Sequence, residues 1–504
     1  MSTLTLAWLA IGLYIALVAF LAYKGWKKSK TLDSYAVGAK DISPIVVGLS
    51  LSASLTSVAT FVTNPGLVFV YGTSALLGFG VAAALGITLG LVFFSKAFRT
   101  FGTTVQALTV PQWIGTRYNS KPLSIGFAFL SLALITFAVL IVVALAHVLH
   151  QLLHIDKTYI IIGLIMIVFT YVMFGGVNTH AYTNAIQAVV MIIVAIILIA
   201  SGVHTFFEEP GLVESVRKID ANLMKAVNPK SLYFRNWFEA FFCNFLIGLA
   251  LICQPHTLSK TLYLKDNKDI RKFLATAVVV GGLFAMVMIV GLFARKLYNA
   301  DILQSIAKTR SFDVVVATYI DKGFVGGLKV FVSMGILFAG LSTLEGILLG
   351  VSTIISADLY LGIFSTNVLK NKTLEEKKSS ALKVGRISYL FIAIITFFLA
   401  QWQIKNPTGG SVVIFAMFFL YVLTSASLVP IMAGMFIKNS KRIAVTVAAG
   451  TAVIVYTIFF FFKITYMYNN PAFLGAMSIM SALVMFSIFQ WLIPVGKDET
   501  KVEA

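Results

Sequence analysis

Runs of about twenty apolar residues recur thirteen times along the 504-residue chain, and they constrain its fold more than any other feature. A helix needs about 20 mostly apolar residues to cross the hydrocarbon core of a bilayer. The backbone of a lipid-embedded segment must satisfy its own polar groups, so each run is predicted to be an α-helix. We therefore predict an all-α polytopic membrane protein with about 13 transmembrane helices in a single transmembrane domain over residues 1–504. The runs cover approximately residues 4–23, 44–71, 74–97, 122–150, 158–176, 184–203, 237–258, 273–296, 324–362, 386–402, 411–436, 443–463 and 473–494.

The composition excludes several other classes of protein. Hydrophobic residues make up 59% of the chain and charged residues only 12%, whereas soluble domains carry about 25% charged residues. This excludes a secreted, cytosolic or disordered protein. The formal net charge of +19 does not indicate nucleic acid, because the basic residues lie in loops between apolar runs, where they orient a membrane protein.

The distribution of basic residues predicts how the chain lies in a cell membrane. The first run ends in a lysine-rich stretch, residues 24–30, and lacks a cleavage site, so we expect a retained anchor. With that stretch in the cytoplasm, the loops on the same side hold 25 of the 39 Lys and Arg residues, as the positive-inside rule requires. We expect a multi-pass protein of the cell membrane, or of the inner membrane in a bacterium. Its N-terminus would be outside and its C-terminus cytoplasmic.

Two of the runs carry signals that interrupt a helix. In the second run, residues 50–60 contain six hydroxyl side chains and are followed by Asn-Pro-Gly at 64–66; the seventh run ends in Gln-Pro-His at 254–256. Interrupted helices at matching places in two halves are typical of a transporter site. Runs two to six and seven to eleven form two sets of five, which predicts a first repeat over 44–203 and an inverted repeat over 237–436. One extra span precedes the repeats and two follow them.

The ninth run contains two further candidates. Glu345 is the only acidic residue well inside a run, and a lone intramembrane carboxylate indicates function, although a protonated, hydrogen-bonded packing role is the alternative. Ser342 and Thr343 offer uncharged oxygen ligands suited to Na⁺. Their alternative role is a hydrogen bond to a carbonyl one turn back in the same helix.

Four short motifs occur in order within about residues 5–440, and they make the chain recognisable. They are Asp33–Lys40, Tyr171–Gln187, Gln254–His256 and Leu341–Thr343. The chain thereby resembles the sodium/solute symporter family, which includes proline, pantothenate, monocarboxylate, sialic acid and sugar carriers. The resemblance implies a LeuT-type inverted repeat and a secondary active symporter that imports a small organic solute with Na⁺ by alternating access.

The resemblance also implies a sodium site made of five residues. Its carbonyl oxygens would come from Ala53, Thr56 and Ala339. Its hydroxyl oxygens would come from Ser342 and Thr343. All five residue types fit these roles.

A second site is implied where the chain departs from the family. Many members have an aspartate at the position of Asn184, and here the carboxylate is found on the facing helix as Glu345. Ionised, Glu345 would hold a second cation with Asn184 as a neutral ligand. Protonated, it would donate a hydrogen bond to the Asn184 side chain and take part in proton coupling. Both states are left open.

The resemblance places the solute midway across the membrane. Ser57 and Thr60 match solute-facing positions of some members, and Ile247 and Leu251 replace large aromatic residues of the proline carriers. No Arg or Lys lies well inside a run, so a carboxylate on the solute would bind to helix N–H groups, hydroxyls or the sodium ion. We expect a carboxylate, an amino-acid-like solute or a vitamin acid.

Other functions remain as alternatives at this point. One is a proton-coupled transporter of the same fold that uses Glu345; another is a transporter-like sensor or channel, although the tail after Val495 is too short to hold a signalling domain. No nucleophile or metal cluster lies at membrane depth, so an enzyme is not expected. The expected partners are the solute and the lipid bilayer, with the protein functional as a monomer.

Overall fold

Helices make up nearly all of the computed structural model, which describes residues 2–37, 42–365, 369–406 and 411–493. No strand occurs within these ranges. The end of the first family motif, residues 38–40, and the tail after Val495 lie outside the described residues. In chain order, the long helices and the two halves of one bent helix are α1 (Thr3–Lys28), α2 (Pro44–Tyr71), α3 (Thr73–Thr104), α4 (Lys121–Leu153), α5 (Lys157–Phe206), α6 (Phe238–Leu251), α7 (Pro255–Tyr263), α8 (Asp269–Leu297), α9 (Gly326–Phe364), α10 (Leu374–Lys405), α11 (Val412–Phe436), α12 (Arg442–Phe462) and α13 (Pro471–Leu492).

The count of spans differs from the predicted thirteen by one. Among the described residues, 11 helices are long and apolar enough to cross a membrane, and the bent pair α6–α7 raises this to 12. The difference lies in α5, where the predicted runs 158–176 and 184–203 form one 50-residue helical element. At 1.5 Å per residue, 50 residues would extend about 75 Å, more than twice the hydrocarbon thickness.

A single glycine interrupts α5. Gly176 has φ 62° and ψ −163°, a region of backbone conformation that is essentially restricted to glycine. A Cβ atom at this position would lie 2.9 Å from the Ser29 hydroxyl oxygen and from the Tyr35 ring. The Ser29 hydroxyl donates to the carbonyl of Gly175 at 3.1 Å, so the end of α1 is held against the bend.

Both predicted interruptions are present. In α2 the break lies at Ser57, which has φ 32° and ψ 172°, and the Ser57 hydroxyl accepts the Ala59 N–H at 3.1 Å, as an N-cap of the second half would. Helices α6 and α7 meet at an angle of 58°. Pro255 begins α7, because proline has no N–H to donate and disfavours helix at the residue before it.

The interrupted helices lie at the centre of the bundle. The first half of α2 packs against α5, α8 and α9, and α9 lies along α5. The last two helices, α12 and α13, pair with each other and pack on α11. Residues from α2, α5, α7 and α9 are thereby brought together at the depth of the two breaks.

Replacement of Gly176 by alanine is expected to destabilise the protein. The φ/ψ strain alone costs about 1–3 kcal/mol, and the new Cβ would press on Ser29 and Tyr35. Gly163 lies in the same helix, and a Cβ there would meet no atom within 4 Å, so Gly163→Ala is the matched control. It should leave stability unchanged or raise it by up to about 1 kcal/mol. Both effects are measured as unfolding temperatures of the detergent-purified variants, by size exclusion after heating. Equal unfolding temperatures for the two variants would contradict a strained bend at Gly176.

Candidate functional site

A cluster of uncharged oxygen atoms lies between the break of α2 and the middle of α9. The Ser342 hydroxyl donates to the carbonyls of Ala53 and Ala339, at 3.0 Å in each case. The Thr343 hydroxyl lies 2.9 Å from the Ser54 carbonyl and 3.4 Å from the carbonyls of Ala53 and Ala339. Ala53, Ala339, Ser342 and Thr343 are all fully buried. Four of the five predicted sodium ligands are therefore brought together.

This set of donors fits a hard monovalent cation. Ca²⁺, a hard cation of similar radius to Na⁺, holds its oxygen ligands at about 2.3–2.6 Å, so neighbouring ligands stand roughly 3.3–3.7 Å apart. The two hydroxyl oxygens lie 2.9–3.4 Å from the carbonyl oxygens that they contact, so a small expansion would admit the ion. The two hydroxyls would then rotate their hydrogens outward and offer lone pairs.

Thr56 is the fifth predicted ligand. It is buried and lines a cavity of about 110 Å³ that α8 also borders. That Thr56 would bind Na⁺ through its carbonyl stays a prediction.

Glu345 accepts hydrogen bonds from three side chains of α5. The Tyr171 hydroxyl and the Gln187 amide donate to its Oε1, the latter at 3.0 Å, and the Thr183 hydroxyl donates to its Oε2 at 2.6 Å. The His180 Nδ1 atom lies 3.5 Å from Oε2. Glu345 is fully buried, and it faces α5 as the sequence predicts.

Asn184 does not pair with Glu345, which corrects the predicted two-residue site. Its amide donates instead to the Ser54 hydroxyl at 2.9 Å and to the Ser342 carbonyl at 3.0 Å. The reason is helical geometry: Thr183 and Gln187 are four residues apart and share one face of α5, whereas Asn184 is rotated about 100° from Thr183. Asn184 therefore borders the oxygen cluster.

A buried lysine was missed by the sequence analysis and contradicts the expectation that none lies well inside a span. Lys260 is 0% exposed. Its ammonium donates to the carbonyl of Ser50 at 2.8 Å, to the Ser50 hydroxyl at 2.9 Å and to the Ser54 hydroxyl at 2.7 Å. The predicted seventh run ends at 258, but α7 continues to Tyr263. The uncharged residues Thr261, Leu262 and Tyr263 after the lysine are the signal that could have revealed it.

A cavity of about 150 Å³ lies beside the break of α2. Ser57, Thr60 and Leu251 line it, together with residues of α4 and α11. Ile247 is not among the lining residues, because it lies one turn farther from the break of α6–α7. Its Cδ1 atom packs on Gly475 of α13, 2.3 Å from where a Cβ there would stand. Three of the four predicted solute residues are therefore brought together.

Three further polar residues line the same cavity with atoms that have no partner in the described part of the chain. They are the Oδ1 of Asn64, the Nδ1 of His256 and the Oγ1 of Thr257, all buried. None was among the predicted solute residues. The sequence feature that could have identified them is their position inside or beside the two interruption motifs, 64–66 and 254–256.

Comparison with known proteins assigns this architecture to a family. Residues 35–444 match the sequence model of the sodium:solute symporter family. The chain belongs to this family. Because the family consists of transporters, the expectation that the chain is not an enzyme is confirmed.

Relatives agree with this assignment, and a solved structure shows the same fold. The chain is 24% identical over 389 residues to the sodium/pantothenate symporter of Haemophilus influenzae, covering 76% of this chain and 74% of that one. It is 25% identical over 426 residues to the sodium/proline symporter of Staphylococcus aureus, covering 80% and 77%. A substrate-bound, outward-open Na⁺-coupled sialic acid symporter superposes with a TM-score of 0.75 at 16% identity, over 98% of this chain and 99% of that one. That likeness establishes the LeuT-type fold.

The two threonines of the predicted sodium site should respond differently to valine. Thr343→Val removes a hydroxyl of the cluster, so Na⁺ affinity should fall at least tenfold. Thr56→Val preserves the carbonyl, so affinity should stay within about threefold of the unsubstituted protein. Because a bound ion stabilises the folded state, the rise in unfolding temperature with NaCl, compared with choline chloride, measures both. Equal losses in the two variants would mean that the ion is held by a different set of atoms.

Proposed function

We propose that this chain is a sodium-coupled secondary active symporter that imports a small organic solute by alternating access. The observation that carries the proposal is the oxygen cluster, in which hydroxyls of Ser342 and Thr343 on α9 meet carbonyls of Ala53 on the interrupted α2 and Ala339 on α9 itself. Membership of the sodium:solute symporter family supports Na⁺ as the coupling ion. It also favours a symporter over a sensor or channel.

The same proposal includes an arrangement in the membrane. The bend at Gly176 would divide α5 into two spans, 158–176 and 184–203, which gives thirteen spans in total. The five-helix repeats would then cover 44–203 and 237–436, with the N-terminus outside and the C-terminus in the cytoplasm. The match of 98% of the chain to a symporter structure supports this arrangement, and we propose that the monomer is the functional unit.

The cluster suggests how Na⁺ and solute are coupled. Ala53 and Ser54 lie about one helical turn before the break of α2 at Ser57. Ser57 lies at the break and Thr60 after it. Na⁺ bound to Ala53 would join α2 to α9 and favour one orientation of the broken segment. The solute-facing residues belong to that segment, so the conformation that binds the ion would also be the one that binds the solute.

The cavity favours a small anion or zwitterion. It combines the hydroxyls of Ser57 and Thr60 with aliphatic Leu251 and with the unpartnered polar atoms of His256 and Thr257. Relatives named as pantothenate and proline symporters handle carboxylic acids, which supports a carboxylate, an amino-acid-like solute or a vitamin acid.

Removal of both hydroxyls should weaken sodium coupling. Ser342→Ala combined with Thr343→Ala is expected to lower the apparent Na⁺ affinity at least tenfold. A tenfold loss corresponds to about 1.4 kcal/mol of binding free energy. Ser352 and Thr353 form a second adjacent pair on α9, bonded to the carbonyls of Gly385 and Leu349, so the double alanine variant there is the matched control. If the Ser342/Thr343 double variant folds and its uptake keeps the Na⁺ dependence of the unsubstituted protein, the sodium site lies elsewhere.

The solute class can be tested in proteoliposomes. With an inward Na⁺ gradient, we expect uptake from a labelled panel of monocarboxylates, amino acids and vitamin acids, and little uptake when K⁺ replaces Na⁺. Thr60→Val should reduce uptake by removing a cavity hydroxyl. Uptake restricted to sugars or quaternary amines would contradict the proposed solute class.

A second candidate function is proton coupling through Glu345, and its burial among Tyr171, Thr183 and Gln187 favours this candidate. We expect Glu345→Gln, which mimics the protonated form, to transport with a flattened pH dependence. Asp358→Asn is the control, because Asp358 is another buried carboxylate on α9, bonded to the Thr109 hydroxyl at 2.7 Å. Loss of a second-order Na⁺ dependence would indicate a cation site at Glu345 instead. Unchanged transport in both respects would leave Glu345 with a packing role.

A further inference from the structure

Lys260 presents a charge inside the membrane domain beside the proposed sodium site. We propose that its ammonium is a tethered cation that occupies an oxygen-lined position next to that site. The chain would then bind one Na⁺, whereas a chain without this ammonium would bind two. The inference rests on the proposed sodium-coupled function. It concerns a different set of atoms, the carbonyl and hydroxyl of Ser50 and the hydroxyl of Ser54.

The surroundings of Lys260 match the needs of an ammonium group. Three oxygen atoms lie 2.7–2.9 Å from the Lys260 Nζ atom. A protonated lysine has three N–H donors, so each donor has one acceptor. A buried charge is tolerated only when its hydrogen-bonding groups are satisfied. All three acceptors are neutral oxygens, the same kind of ligand that surrounds the proposed Na⁺. The position is therefore built for one monovalent cation.

One residue joins this position to the sodium site. The Ser54 hydroxyl accepts from Lys260 at 2.7 Å and donates to the Ser342 carbonyl at 3.3 Å. The Ser54 carbonyl accepts the Thr343 hydroxyl at 2.9 Å. Lys260 and the ion would thus contact the same residue, and two positive charges this close repel each other strongly in a medium of low dielectric constant.

The nearby charges limit how many free cations can enter. Asn184 contacts both Ser54 and Ser342, but its amide adds no negative charge. Glu345 lies on α9 one turn after Ser342 and supplies one carboxylate. With Lys260 in place, that charge is already balanced before Na⁺ arrives. Without the ammonium, the same carboxylate would favour a second ion on the vacated oxygens.

Two substitutions separate the charge of Lys260 from its volume. Lys260→Ala removes both, so a second Na⁺ is expected to enter among the oxygens of Ser50 and Ser54. Lys260→Met removes the charge and fills most of the space, so a single Na⁺ is expected to bind at least tenfold more tightly than in the unsubstituted protein. Lys272 is exposed on α8, so Lys272→Met is the control. It should change neither the number of bound Na⁺ ions nor their affinity.

Equilibrium binding of radiolabelled Na⁺ to the full-length, detergent-purified protein tests the inference without knowledge of the solute. We expect one ion per chain for the unsubstituted protein, two for Lys260→Ala and one, bound more tightly, for Lys260→Met. Size exclusion establishes that each variant is folded and monodisperse. Addition of Thr343→Val to each background identifies which ion belongs to the Ser342–Thr343 cluster, because only that ion should be weakened.

The remaining outcomes overturn one proposal or the other. Two ions in the unsubstituted protein, one ion of unchanged affinity in Lys260→Ala, or no ion in that variant while it stays folded would each refute the tethered cation. Unchanged affinity in Lys260→Met would refute it as well. Absence of saturable Na⁺ binding in the unsubstituted protein would instead refute the proposed sodium-coupled function.

Discussion

The interruption of α2 at Ser57 is the constraint on which the rest of the site depends. A helix that breaks at membrane depth leaves backbone polar groups that hydrocarbon cannot satisfy, so these groups must be met by protein. In this molecule the carbonyls of Ala53 and Ser54 accept the hydroxyls of Ser342 and Thr343 from α9. The same requirement that stabilises the broken helix therefore creates a pocket of neutral oxygens, which is the chemistry that a sodium ion needs.

The bend of α5 has a comparable role for the second polar centre. Tyr171 precedes Gly176, whereas Thr183 and Gln187 follow it, and all three donate to Glu345. A straight helix would spread Tyr171 and Gln187 over about 24 Å, so the bend is what allows both to reach one carboxylate. The strained glycine and the buried acid are parts of one arrangement. The neighbouring Asn184 turns toward α2 and links this arrangement to the oxygen cluster.

Much of this arrangement could be predicted from local sequence signals. The apolar runs located the long helices to within a few residues in most cases, because hydrocarbon thickness sets the length of a span. Ser57 lies in the hydroxyl-rich stretch and Pro255 in the Gln-Pro-His motif, and both mark real interruptions. Ala53, Ala339, Ser342 and Thr343 were named from a family resemblance and do meet in space. The sequence predicted two separate runs on either side of Gly176, whereas the structure joins them in one bent helical element.

The sequence by itself determined the class of protein, the place of its helices and breaks, and the residue types able to hold Na⁺, since hydrophobicity, proline and hydroxyl content act locally. Only the tertiary structure decided which side chains share a site. Lys260 is 210 residues from Ser50 in sequence, and Asn184 contacts Ser54 rather than Glu345. Ile247 packs on Gly475 instead of lining the cavity. The rotation of each helix about its axis decides these pairings, and that rotation is set by packing against distant segments, which no local pattern records.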